Sequence, residues 1–362
     1  MASHKNQHFV PRCYLKPFTR DGAGQAINLL NLDRQVLIEN APVKHQCSGN
    51  FFYGQDLTIE RDLQHIEGAY AASLVDVLRE GHPLAERTKD LLRAFWLVQF
   101  VRTDAASRRT AEMSNGFAAH TGIPEDYRLS IRQAVQMSMT LLGEVLPFVM
   151  DLKVCLFRNR TPVPFVTSDD PAILTNRWHL HDERTRWRSI GLGKAGALFL
   201  LPLSPAVMCV CYDGDVYSIP HRNGWARVER AEDVRAFNEH QFLNCLANVY
   251  YQDWPGRTYM LEESARLASL RPAQRYRIHL AVLDREQDGY ERYRVVQHLS
   301  DEAGSKVLIH SESIPMHPTA WPSVIGWRPQ GVAYTNRTAR GYIRRAQAEA
   351  LGFGGFHKVR IR

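Results

Sequence analysis

The alternation of apolar and polar positions along this 362-residue chain changes period several times. Residues 8–18 read as an extended segment interrupted by Pro11 and Pro17. Residues 25–31 and 35–39 read as two strands joined by the turn Leu32-Asp33-Arg34, hence a hairpin. Apolar residues at Ile59, Leu63, Ile66, Ala69, Tyr70, Leu74 and Val77 then recur at helical spacing. That predicts an amphipathic helix over 58–81 with Thr58 as its N-cap. A heavily apolar helix follows from 86 to about 110, continued by or leading into one over 108–120. After the breaker Thr121-Gly122-Ile123-Pro124, a further helix is predicted over 125–148, so residues 58–150 form a helical block.

From Leu152 the pattern returns to strands, at 153–158, 164–167, 197–202 and 206–212, each bounded by Pro, Gly or Asp. Residues 178–194 are polar and aromatic and read as an exposed loop, and 231–248 as another helix. Pro255-Gly256 marks a boundary. Beyond it, 276–283 and 291–299 flank the turn Arg285-Glu286-Gln287-Asp288-Gly289, which is hairpin chemistry. Residues 315–329 hold four prolines and two tryptophans, too rigid for helix and too apolar for a solvated linker, so they are expected to wrap across the core. The fold class that follows is α+β: a mixed β-sheet with an inserted helical block over 1–255, a β-hairpin and Pro/Trp-rich elaboration over 256–334, and a tail over 335–362.

Composition narrows this picture. Apolar residues at 44% and charged residues at 23% exclude a disordered chain and a disulfide-stapled miniprotein. No apolar run approaches the ~18 residues of a spanning helix, and the first residues are polar where an export signal is apolar, so a soluble cytoplasmic protein without membrane contact is expected. The six cysteines form no CxxC pair and read as reduced thiols; Cys209 and Cys211 alternate along one strand without nearby histidines, a weak metal pattern. The chain lacks a phosphate-binding P-loop, a GxGxxG turn after a strand, a GxSxG elbow and an HExxH helix. Net charge is +7, and residues 335–362 alone carry +6, with seven Lys or Arg against Glu349. This basic tail, with Gly-rich 352–356, is expected to be flexible, and its Arg340, Arg344, Arg345, Lys358 and Arg360 to be able to hold a phosphate backbone; the bland alternative is a solvated, solubilising end.

Several strings stand out as landmarks: Asn6-Gln7-His8-Phe9-Val10-Pro11-Arg12-Cys13-Tyr14-Leu15-Lys16-Pro17-Phe18, Phe51-Phe52-Tyr53, Glu60 through Glu67, Gln99-Phe100-Val101-Arg102-Thr103, Phe165-Val166-Thr167-Ser168-Asp169-Asp170-Pro171, Phe199-Leu200-Leu201-Pro202-Leu203-Ser204-Pro205 and Phe237-Asn238. Over about residues 4–255 they resemble the bacterial domain-of-unknown-function family 4238. The resemblance implies a mixed α and β intracellular protein whose site candidates are the polar members of these strings; it brings no settled activity.

Read as chemistry, the strings offer His8 as a general base. Glu60 and Glu67, two turns apart on one helix face, suit a hard divalent ion such as Mg²⁺ or Mn²⁺, with Asp169 at a strand end as a further ligand. Gln99 and Arg102 lie at i, i+3 in an apolar helix, so Arg102 is expected to be buried against a carboxylate, Glu67 or Asp169, or to clamp a phosphate. The leading reading is a metal-dependent nucleic-acid hydrolase in a toxin or phage-defence setting, with Glu67 and Asp169 on the metal, His8 activating water, and Arg102 and Gln99 at the phosphate. The rival is a noncatalytic nucleic-acid- or protein-binding regulatory module whose polar residues fix the fold. One solvent-open cleft around His8, Glu67, Arg102 and Asp169 favours the enzyme, and pairing in a dry interior favours the module.

Overall fold

The computed structural model describes residues 5–79, 81–121, 124–185, 188–252, 256–287, 290–297, 306–338 and 340–361. It is an α+β protein built on two central sheets. A five-stranded sheet runs in the order Trp225–Val228, Lys153–Asn159, Val207–Tyr212, Leu198–Ser204, Ile173–Thr175, antiparallel except where Trp225–Val228 lies parallel to Lys153–Asn159. Its three middle strands are almost wholly buried, which is why they read as unbroken apolar runs. A four-stranded sheet runs Val36–Pro42, Ala26–Asn31, Asn248–Tyr251, Thr167–Ser168, so the expected hairpin forms and then recruits strands more than 100 residues away.

The helical block packs on the five-stranded sheet through Trp96, whose ring stacks on Phe199 at 3.8 Å and whose indole N–H donates to Leu200 O. The first helix spans Thr58–Leu78, three residues short of the expected end, and Thr58 is its first residue rather than its cap: that place is held by Leu57 in the left-handed conformation (φ 58°), with no side-chain cap bond. The second stops at Arg102: Thr103 is extended (φ −71°, ψ 158°), and a new helix, Asp104–Thr121, starts beyond it. The helix expected over 125–148 breaks into Ile131–Thr140, Leu142–Val145 and Pro147–Met150. Its true start is set by Ser130, whose hydroxyl and Gln133 form a capping box. Residues 122–123 of the breaker lie outside the described residues.

Four other expectations are corrected. Residues 8–18 are not an extended segment and pair with none of the strands around Phe165 and Phe199: only Asn6–His8 is a strand, paired with Ser48–Asn50, and Pro11 opens a short helix, Arg12–Leu15. Contact with those distant strands comes instead through the Tyr14 hydroxyl, 2.7 Å from both Thr167 Oγ1 and Pro202 O. The helix expected over 231–248 ends at Asn244, because Asn248–Tyr251 is taken into the four-stranded sheet. The supposed loop 178–194 contains the short helix Arg177–His181 and buries Trp178, with residues 186–187 outside the description.

The basic tail is folded rather than flexible. His357–Arg360 and Tyr342–Ile343 flank Val332–Thr335 in a three-stranded sheet, and Ala333 and Ile361 join the core cluster of Phe157, Leu198 and Val210.

After the helix Arg257–Leu267, the hairpin Tyr276–Gln287/Tyr290–Val296 gains a third strand, Val307–Ser313, which the sequence pattern did not reveal. The turn residues 288–289 and the end of the expected strand at 298–299 lie outside the description, as do Pro255 and Arg362. The Pro/Trp-rich segment behaves as expected. It crosses the Ala231–Asn244 helix, where Ser323 N and Oγ donate to Asp233 and Thr319 N and Oγ1 donate to Glu239.

Candidate functional site

The extended residue Thr103 separates two polar centres. On one side, Arg102, 1% exposed, sends its guanidinium in three directions: Nη1 to Glu67 Oε1 at 2.7 Å, Nη2 to His8 O at 2.7 Å and Nε to the Tyr53 hydroxyl at 2.9 Å. The Tyr53 hydroxyl donates onward to His8 O. One residue thereby ties together the first strand, the Phe51-Phe52-Tyr53 turn and two helices. This is the burial and the partner expected from an arginine on an apolar helix, with Glu67 and not Asp169 as the acid.

His8 is half-buried, its Nε2 sealed from solvent without a hydrogen-bond partner. Burial first, then Arg12 and Arg102, lowers its pKa, so the ring is neutral near pH 7. Glu60 is half-buried; the Tyr53 pKa is raised by burial first, and then by the charges of Glu67 and Glu60 against the opposing pull of Arg102. Gln99, one turn before Arg102, is fully buried, and both polar atoms of its amide lack a protein partner. His8, Glu67 and Arg102 therefore converge, with Glu60 and Gln99 on the same two helices.

Asp169 does not join them. Its two carboxylate oxygens accept the backbone N–H groups of Leu246, Ala247 and Asn248 at 2.8–2.9 Å, closing the turn from the Ala231–Asn244 helix into the Asn248–Tyr251 strand. Burial pushes its pKa up to about 6 against those three donors, which favour the charged form. A carboxylate committed this way has little left for a metal ion, so its expected place beside Glu67 is corrected to a backbone clamp.

Its neighbour Asp170 is the acid of the second centre. Fully buried, it accepts from Thr103 Oγ1 (2.7 Å), Asn244 Nδ2 (2.8 Å) and Arg109 Nη1 (2.6 Å). Among the described residues, no three His, Cys, Asp or Glu side chains are grouped to hold a metal ion. Cys209 and Cys211 are buried free thiols, and the Cys209 pKa is raised by its hydrogen bond to Cys211 and by burial.

Of the five tail cations, Arg344 is buried and doubly bonded to Asp151, which removes it as a surface contact. Arg345 pairs with Glu349, whereas Arg340, Lys358 and Arg360 are exposed.

A second basic surface escaped the sequence reading. At the edge of the five-stranded sheet, a groove of about 750 Å³ is lined by Arg158, Arg160, Arg222, Arg227, His82, His221 and Trp225, with no acidic side chain among the described residues of its wall. Parallel register sets Arg227 opposite Arg158, and the Arg158 guanidinium lies 4.7 Å over the Trp225 ring. Trp225 is fixed by its indole N–H bond to His82 O. The signal was present as Arg158-Asn159-Arg160 and His221 through Arg227, but these segments are about 60 residues apart and meet only through strand pairing.

A family model described as a protein of unknown function, DUF4238, matches residues 6–254. No curated protein and no solved structure matches the chain.

Proposed function

The chain belongs to the DUF4238 family, and from that footing we propose that it is a noncatalytic nucleic-acid-binding module whose docking surface is the groove around Trp225. The observation that carries this reading is the composition of that groove: four arginines, two histidines and an indole, with no carboxylate among the described residues that line it. Exposed arginines track a phosphate backbone, and an aromatic ring under a guanidinium offers a base a surface to stack on. The landmark polar residues support the same reading, since Arg102 is spent on Glu67, Tyr53 and His8 O, and Asp169 on backbone. They act as ties between elements.

The test is fluorescence anisotropy with a labelled single-stranded oligonucleotide over a range of salt. Arg222 and Arg227 are exposed and make no ion pair among the described residues, so Arg222→Ala/Arg227→Ala is expected to leave melting unchanged. Affinity should fall at least tenfold, with the salt slope shallower by about 0.7 for each phosphate that is no longer neutralised. Substituting Arg340, Lys358 and Arg360 serves as the comparison, and a loss of affinity confined to that variant moves the interface to the tail. No binding by the wild type defeats the reading.

A metal-dependent hydrolase remains the second reading, favoured by one observation: a sealed, neutral His8 Nε2 beside the Glu67–Arg102 pair. In it Glu67 and Glu60 would hold Mg²⁺ or Mn²⁺. Millimolar metal should then raise the melting midpoint and switch on oligonucleotide cleavage, and Glu67→Gln should abolish both. Absence of both responses in the wild type removes it.

A further inference from the structure

Beyond the second polar centre lies a cavity of about 220 Å³, closed on one side by the Asp104–Thr121 helix and on the other by Tyr276 and Ser313 of the sheet built on Tyr276–Gln287. Its wall is mainly apolar, with Phe100, Val101, Met113, Leu174 and Ile314 among its members. Two cations reach into it, Arg109 and Arg275. They are not balanced equally. Arg109 has Asp170, at 2.6 Å. Among the described residues Arg275 binds only neutral groups, Nη2 to Asn244 Oδ1 at 2.9 Å and Nη1 to Asn244 O at 3.3 Å, and its Nε is buried with no partner there.

The carbonyl of Asn244 ends the Ala231–Asn244 helix, and that terminus supplies a partial negative charge. Arg271 draws on the same terminus through Cys245 O and Leu246 O. The single acid of the centre, Asp170, is already engaged by Thr103, Asn244 and Arg109. Two full positive charges therefore face one full negative charge across a mostly apolar space. Arg275 is half-buried with its Nε sealed from solvent, and a guanidinium without a carboxylate partner in such a site is costly; the charge that would relieve it is an anion in the cavity.

We propose that this cavity binds a small organic anion, a carboxylate or monophosphate carried on an apolar body, with Arg275 as its counter-charge, Arg109 beside it and the Phe100–Met113 wall receiving the body. The guanidinium geometry suits either head group, because its planar fork of donors matches two oxygens at once. The wall sets the other half of the specificity: an apolar body displaces water that the lining cannot hold well. Desolvation and the neighbouring Arg109 lower the Arg275 pKa to about 10, which still leaves it charged at neutral pH. The cavity lies apart from the Trp225 groove in residue membership, so this inference stands independently of nucleic-acid binding.

The test is a thermal melt of the full chain with benzoate, phenyl phosphate and the neutral isostere benzamide, followed by calorimetry with whichever anion responds. The expected result is a midpoint raised by roughly 2–4 °C at about ten times the dissociation constant by benzoate, phenyl phosphate or both, with benzamide inert. The stronger of the two anions assigns the head group. Arg275→Gln should abolish the response. Should that variant fail to fold, Met113→Trp keeps both arginines and fills the space, and the same loss of response is expected. No response of the wild type to either anion overturns the proposal. So does an equal response to benzamide, or a response that survives both substitutions.

Discussion

A guanidinium with three partners on three different elements gives Arg102 an outsized share of the N-terminal half's cohesion. Arg102→Ala leaves Glu67 half-buried without its cation, the Tyr53 hydroxyl without a donor, and His8 O with the Tyr53 hydroxyl as its remaining partner. The expected cost is about 3 kcal/mol, read as a shift in the urea midpoint. Arg102→Met combined with Glu67→Gln should cost less than the two single changes added together, since the second removes the charge that the first orphans. Asp169→Asn replaces one accepting oxygen by an NH2 that meets backbone N–H donors. About 1–3 kcal/mol should be lost with no dependence on added Mg²⁺.

His179 supplies the pH arm. Burial, then Lys194 and His317, holds its pKa at about 4, below the ordinary 6.5, although Arg188 backbone and Glu312 pull it back. The unfolded chain therefore takes up the proton first. Stability from this group is full above pH 6.5 and is lost as pH falls from 6.5 toward 4. The melting difference between wild type and His179→Gln should accordingly shift against the wild type between about pH 7 and pH 5. The Arg102–Glu67 tie was legible in the sequence because an arginine on an apolar helix must meet an acid and both lie on helices. The role of Asp169 was not, because its donors come from residues 246–248, brought close only by sheet pairing.

At the scale of elements, helices were readable where the apolar period is sustained, as in Thr58–Leu78, and misread where tertiary demand overrides period. Asn248–Tyr251 could continue a helix on pattern alone, yet the gap between Ala26–Asn31 and Thr167–Ser168 needs a strand and takes it. The break at Thr103 was equally hidden, since the Thr103 hydroxyl is spent on Asp170, far along the chain. One glycine decides how the sheet built on Tyr276–Gln287 docks. A Cβ on Gly116, in the Asp104–Thr121 helix, would stand 2.9 Å from Ile278 Cδ1 and 3.0 Å from the Tyr276 ring. Gly116→Leu improves helix propensity by about 1 kcal/mol. It is nonetheless expected to destabilise by about 1–3 kcal/mol through overpacking, a reversal of sign that a denaturant titration reads directly.

For the whole molecule, charge counted along the chain misled where charge counted in space did not. Residues 335–362 hold most of the net +7, yet Arg344 is interior and the segment is sheet and helix. Among the described residues, a concentration of cations with no acid lining it lies at the edge of the five-stranded sheet. The strap over the Ala231–Asn244 helix carries a consequence for biosynthesis. Asp233 and Glu239 are buried within the stretch that the family model covers, but the donors that satisfy them, from Ser323 for the first and from Arg266 and Thr319 for the second, lie beyond it. While a ribosome is still making the C-terminal part of the chain, both acids are emerging without these hydrogen-bond donors, and the helix between them has no lid. The buried state of these two acids is therefore completed only once the far end of the chain has been made.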